Sequence, residues 1–158
     1  MQTFLPYSDF FQSVACLDDK RLGKQRVEAM QILNILTGKN PNARWKNHPA
    51  VRMWYGYEYA LKFYHNLAIE EWIHRGKNNT MKLYGVSESI VVYPSWVFDP
   101  RLLISHRCNL LRKDFDYYVQ EFGDKYDIDA PYWWPVEMKT KKKQNEMVEY
   151  WSRKDGLK

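Results

Sequence analysis

The stretch Leu17–Leu36, LDDKRLGKQRVEAMQILNIL, constrains this chain more than any other. At 100° per residue, Leu22, Ala29, Leu33 and Leu36 share one narrow face, with Met30 and Ile32 at its edges. Asp18 or Asp19 can cap the start by accepting from the first unpaired N–H groups, and Gly38 marks the stop. The spacing predicts a long helix over 18–37 whose apolar stripe must be covered by other elements. Lys20, Lys24 and Val27 point away from that stripe, and Glu28 sits at its border. From Lys20 to Arg52 the chain carries eight Lys or Arg and one acid, Glu28. On a solvated helix such a carboxylate pairs with Lys24, for about 0.2–0.5 kcal/mol. Beside a polyanion it can move protons instead.

The rest of the chain also reads as helical. Pro6 predicts an extended lead-in, and Tyr7-Ser8-Asp9 a turn or short helix at 8–15. Lys39–Lys46 is a polar loop carrying Trp45. Pro49 suits a first helical position, with Asn47 or His48 as cap, and opens a second helix that runs to Gly76 with a bend at Gly56. Its stripe is Trp54, Tyr57, Leu61, Tyr64, Ala68 and Trp72. Residues 77–98 read mostly as loop, and Ile90–Tyr93 is a short strand candidate with no evident partner. Asp99-Pro100 starts a helix to Leu111 or Lys113, and Asp114 caps a shorter one ending at Gly123. Pro131–Pro135 (PYWWP) cannot be regular helix. A lysine run at 139–143 precedes a weakly amphipathic helix over QNEMVEYW. The expected fold is a compact, single-domain all-α bundle with an extended N-terminal lead-in, covering 1–136, and a basic C-terminal extension, 137–158.

A chain of 158 residues can bury about 70% of its unfolded surface. No apolar run approaches the roughly 20 residues of a membrane span, and no signal peptide opens the chain, so a soluble, cytoplasmic protein is expected. Cys16 and Cys108 show no ligand spacing, and the default is a reduced pair. His48, His65, His74 and His106 lack metal-site spacing, and no glycine-rich phosphate loop or nucleophile elbow is present. What is left is general acid–base chemistry, an amine nucleophile, or binding alone, with no metal and no small-molecule cofactor. The formal charge of +5 is mild, but its clustering at 20–52 and 139–143 points toward nucleic acid.

Arg21, Lys24, Gln25 and Arg26 lie on the first helix. His48 and Arg52 lie at the start of the second, where free N–H groups favour phosphate. His106 and Arg107 lie on a later helix. Packed together, these would form a DNA-binding face whose phosphate contacts set register and salt dependence. Trp45, Trp54, Tyr55, Tyr132, Trp133 and Trp134 are candidates for a base pocket or a wedge.

As a set, LDDKRLGKQRVEAMQIL, NHPAVRMW, SHR with LLRKD, and Tyr132–Pro135 resemble a family of small bacterial and viral proteins related to the pyrimidine-dimer DNA glycosylases of the phage endonuclease V type. The resemblance to the nearer family spans about 1–136, and that to the glycosylases mainly 1–76. In those glycosylases a Glu lies nine residues after an Asp that begins the first helical segment, as Glu28 follows Asp19. A later histidine matching His48 opens a helix ending in Arg-Gly, here Arg75-Gly76. The resemblance implies that the N-terminal α-amine attacks C1′ of the damaged nucleotide to form a Schiff base, while Glu28 shuttles protons. Basic residues of the first helix would clamp a kinked duplex from which a base is flipped.

Where the glycosylases expose a small second residue after loss of Met, this chain has Gln2, and it carries an insertion between Thr3 and Asp19. The amine is therefore that of Met1, or of Gln2 after processing, or else Glu28 activates water without amine attack or lyase action. The lesion is a pyrimidine dimer by inheritance, with an oxidised or hypermodified pyrimidine as the alternative. The expected partner is double-stranded DNA, bound by a monomer. The rival reading is a noncatalytic nucleic-acid-binding module in which Glu28 is a structural ion-pair partner.

Overall fold

The computed structural model describes residues 1–153, and among them all regular structure is helical. The helices are α1 (Phe10–Ala15), α2 (Asp19–Leu36), α3 (Pro49–Arg52), α4 (Glu58–His74), α5 (Pro100–Lys113), α6 (Phe115–Phe122) and α7 (Lys141–Arg153), with 3-10 turns at Glu88–Ile90 and Ser95–Phe98. The strand considered at Ile90–Tyr93 does not form. The contacts group into two units, one of Met1–Phe4 and Asp9–Pro94, the other of Leu5–Ser8 and the chain from Ser95 onward.

In the first unit α2 packs on α4. Asp18 stands in extended conformation as the α2 N-cap, its carboxylate ion-paired with Arg21 at 3.2 Å. Asp19, in the first turn where the helix dipole favours an acid, receives Arg75 and Lys77, each at 3.0 Å, which ties the start of α2 to the end of α4. These bonds hold the Asp19 carboxyl below the usual carboxylate range. Gly23 allows the close approach: a Cβ there would stand 3.1 Å from the Trp72 ring.

The buried residues of α2 are Leu22, Gln25, Ala29, Ile32 and Leu33. Ile32 is central rather than marginal, Leu36 is only half-buried, and the polar Gln25 lies inside the stripe.

The single helix expected over 49–76 is two. His48 caps α3 by accepting from the Ala50 N–H at 3.0 Å, and the helix stops at Arg52. Met53 and Trp54 turn into the core, Gly56 takes a left-handed φ of +84°, and α4 starts at Glu58. A helix that swings a tryptophan inward must reverse its path, and glycine adopts that conformation without a Cβ clash. Beyond α4, Asn66 pins the irregular segment by accepting from the Tyr84 N–H and donating to its carbonyl, both at 2.8 Å.

In the second unit Asp99 caps α5 and Asp114 caps α6, accepting from Arg101 N–H at 2.9 Å and Tyr117 N–H at 3.2 Å. The core holds Leu102, Leu110, Leu111, Tyr118 and Phe122. Residues 131–135 are irregular, as their two prolines require. Helix α7 docks there through Met147 and Trp151, whose indole donates to the Pro131 carbonyl at 3.2 Å. The helix begins at Lys141, so three of the tail lysines lie on its first turn.

Candidate functional site

Residues 2–4 form a buried, non-helical segment at the heart of the first unit. Backbone N–H and C=O groups taken out of water without a helix or sheet need side-chain partners. Gln25 supplies most of them. Its Oε1 accepts from the Phe4 N–H at 2.9 Å and its Nε2 donates to the Gln2 carbonyl at 3.1 Å. The Tyr64 hydroxyl stands 2.9 Å from both the Phe4 carbonyl and Gln25 Oε1, and the Trp54 indole donates to Thr3 Oγ1 at 2.9 Å. Gln2 turns its own Oε1 back onto the Thr3 N–H at 2.8 Å.

One turn beyond Gln25 on the same face of α2 stands Glu28, half-buried. Its Oε2 accepts from the Gln2 backbone N–H at 3.2 Å and from the second proton of the Gln25 amide at 3.3 Å. Among the described residues it makes no ion pair with Lys24. Backbone bond lengths keep an α-nitrogen within about 3.6 Å of the next residue's nitrogen. The Met1 amine therefore lies no more than about 7 Å from Glu28 Oε2, given the 3.2 Å bond.

His48 belongs to the same place. Burial holds its imidazole below the ordinary histidine range, and the positive charge of the N-terminal amine pushes it the same way. With Nδ1 accepting from Ala50, the neutral ring carries its proton on Nε2. The Trp45 ring packs edge-to-face on His48 at 5.4 Å between centroids. The structure thus bonds the Gln2 N–H to Glu28 with Gln25 bridging both, and sets His48 against Trp45 and within electrostatic reach of the N-terminal amine. Among the described residues no cluster of three or more His, Cys, Asp or Glu is arranged to hold a metal ion.

The remaining sequence candidates fall elsewhere. Gln25 is 1% exposed and braces the lead-in, so it cannot meet DNA from solvent. Arg26, half-buried, lies against the Trp72 ring at 4.2 Å and donates to Asn79 at 2.8 Å. Arg21 is held by Asp18. Trp54 is core, enclosed with Phe10 and Tyr64, and is neither pocket wall nor wedge. Lys24, Arg52 and Tyr55 are exposed, Tyr55 to 77%.

In the second unit Trp134 is buried, and Trp133 lies under Arg101 at 4.6 Å. Tyr132 packs on His106. Arg107 donates to the Pro6 carbonyl and the Tyr126 hydroxyl, both at 2.8 Å, and so braces residues 5–8. His106 is wholly buried, its Nδ1 accepting from the Leu5 N–H at 2.8 Å, so it is a structural acceptor and not a phosphate contact. What the sequence reading missed was the anchoring role of Gln25, Thr3 and Tyr64. The available signal was a polar Gln25 at a position of the apolar stripe.

His106 has a measurable consequence. Burial pushes its pKa down to about 3, against 6.5 ordinarily. Between those values the unfolded chain binds a proton that the folded one refuses, so stability is full above about pH 6.5 and falls as the pH drops. The slope reaches about 1.4 kcal/mol per pH unit. Urea midpoints of wild type and H106N, measured from pH 7 to 4, should diverge, with the wild type losing stability more steeply. Parallel profiles would show that the imidazole does not set this dependence.

The first unit is all-helical and folds its own first residues against Glu28, on a helix that also carries Lys20, Arg21, Lys24 and Arg26. Comparison with known families makes the class specific: the family model of the pyrimidine dimer DNA glycosylases matches residues 1–85, over half the chain, and the chain belongs to that family. The matched segment holds α1 to α4 and with them Glu28, His48 and Trp45. No curated protein and no solved structure matches the chain. The family is one of DNA glycosylases, so DNA is the partner. Among the described residues no helix is long and apolar enough to cross a membrane.

Proposed function

We propose that this protein excises a pyrimidine lesion from duplex DNA, a pyrimidine dimer in the first instance, through attack by the α-amine that opens the chain. The single observation carrying the reading is the 3.2 Å bond from the Gln2 N–H to Glu28 Oε2, which sets the carboxylate beside that amine. An α-amine is a sensible nucleophile near neutrality, since it is intrinsically less basic than a lysine side chain.

The neutral nitrogen forms a bond to C1′ as the glycosidic C1′–N bond breaks, and the base departs with that electron pair. The nitrogen then gives up a proton to Glu28, which returns one to the sugar ring oxygen as the ring opens to the Schiff base. Loss of a C2′ proton expels the 3′ phosphate, which is the lyase step. His48, neutral beside the amine, contributes a hydrogen-bond donor at Nε2 for the sugar or phosphate. The exposed cations Lys24, Arg44, Lys46 and Arg52 hold the DNA backbone.

Two nitrogens fit the nucleophile's place: that of Met1, or that of Gln2 after removal of Met1, which is the atom already bonded to Glu28. Borohydride trapping on a duplex with a preformed abasic site tests the reading. A covalent adduct is expected, with peptide mass mapping on the first residue of the chain. An adduct on a lysine side chain would refute the assignment of the amine. No adduct, with alkali-labile sites still formed on a dimer-bearing duplex, would leave a glycosylase that activates water and has no lyase step.

A further inference from the structure

Gln25 lies three residues before Glu28 on α2 and is 1% exposed. A glutamine amide has two acceptor lone pairs and two donor protons. Here all four are engaged. Oε1 meets the Phe4 N–H and the Tyr64 hydroxyl, each at 2.9 Å. Nε2 gives one proton to the Gln2 carbonyl at 3.1 Å and the other to Glu28 Oε2 at 3.3 Å. The backbone decides which way round the amide sits. Turned over, its NH2 would oppose the Phe4 N–H, and its oxygen would oppose both the Gln2 carbonyl and the Glu28 carboxylate. Each such meeting leaves buried polar groups unpaired.

The proton aimed at Glu28 is therefore fixed by groups that take no part in the carboxylate's chemistry. That matters because the terminal torsion of a glutamate is broad, with no sharp staggered well to hold the carboxyl plane. A single bond from the Gln2 N–H would let the group pivot. Two donors on one oxygen, from the lead-in at 3.2 Å and from α2 at 3.3 Å, stop the pivot. Both fall on Oε2, and among the described residues Oε1 has no hydrogen-bond partner.

We propose that Gln25 is a positioning residue for the proton transfer: by pinning Oε2 it leaves Oε1 as the oxygen that takes the proton from the attacking nitrogen and returns it to the sugar. This rests on the glycosylase reading above and adds the residue that sets the lead-in and the acid–base carboxylate as one unit. Gln25 touches neither the DNA nor the reacting atoms, and its effect on the rate runs through Glu28.

The test is a double-mutant cycle of Q25M and E28Q. Methionine fills a similar volume and has no amide to donate. Excision of a thymine cyclobutane dimer is followed in single turnover at saturating protein, with the dissociation constant for the same duplex measured in parallel. With Glu28 present, Q25M should slow excision roughly 10- to 100-fold, the range for a bond to a charged group. In E28Q no proton is exchanged, so adding Q25M should change the rate by less than about threefold. Duplex affinity should stay within about threefold throughout. Equal slowing in both backgrounds, slowing in neither, or a loss carried by affinity alone would overturn the inference and leave Gln25 as a brace for the lead-in. If Q25M does not fold, Y64F takes its place in the cycle. It removes the hydroxyl beside Gln25 Oε1 and keeps the amide's donors, so its slowing should be smaller but again confined to the protein with Glu28. Wild type inert on this duplex and on one with a preformed abasic site would instead take down the glycosylase reading, and this inference with it.

Discussion

Replacing Glu28 by glutamine should slow base excision by about 10²–10⁴-fold, the usual contribution of a positioned proton-transfer group, or about 3–5 kcal/mol of barrier. The substitution is gentle on the fold. A glutamine carbonyl oxygen can still accept from the Gln2 N–H and the Gln25 amide, which are the two bonds the carboxylate makes. What is lost is the capacity to take and return a proton. Thermal midpoint and affinity for an undamaged duplex should stay close to wild type while single-turnover excision collapses. Excision within about threefold of wild type would mean that Glu28 only anchors the lead-in, and would favour the reading of the chain as a binding module.

The second large effect is structural. Trp54→Ala should destabilise the protein by about 3–5 kcal/mol, the range for emptying a core aromatic site. That is a large part of the 5–15 kcal/mol a domain usually has, and should lower the melting temperature by about 10 °C or more. Trp54 is fully enclosed, packs on Phe10 and Tyr64, and donates its indole N–H to Thr3. Thr3 is two residues from the amine, so the damage should reach the site. Trp54→Phe separates the two roles. It keeps most of the packing, removes the bond to Thr3, and should cost about 1–3 kcal/mol while lowering the yield of borohydride trapping. A Trp54→Phe protein that traps abasic DNA as well as wild type would show that the lead-in is held without that bond.

Much of the fold is legible along the chain because caps and stops are local. Asp18, Asp99 and Asp114 begin helices where an acid precedes a periodic run, and Gly38 and Gly123 end them at positive φ. The error over 49–76 is also physical. Four- and three-residue spacing continues through Met53–Tyr57, and periodicity cannot tell a bend from a reversal. The left-handed Gly56 follows from burying Trp54 against Thr3, a contact between residues 51 apart.

By itself, the sequence determined an all-helical chain, the limits of its long first helix, and the singular position of one acid among eight cations from Lys20 to Arg52. It could not say where the first four residues go, since an aperiodic segment carries no spacing to read. Only the tertiary structure decided that residues 2–4 thread into the core and that Gln25 bonds the Gln2 carbonyl and the Phe4 N–H. It also buried His106 and gave Arg26 and Arg107 hydrogen-bond partners within the chain. The reason is that buried main-chain polar groups must find partners wherever the fold puts them. A side chain's hydrogen-bonding capacity is written in its residue type, but whether a backbone amide, a neighbouring ring or solvent claims it is settled by what the folded chain brings within about 3 Å.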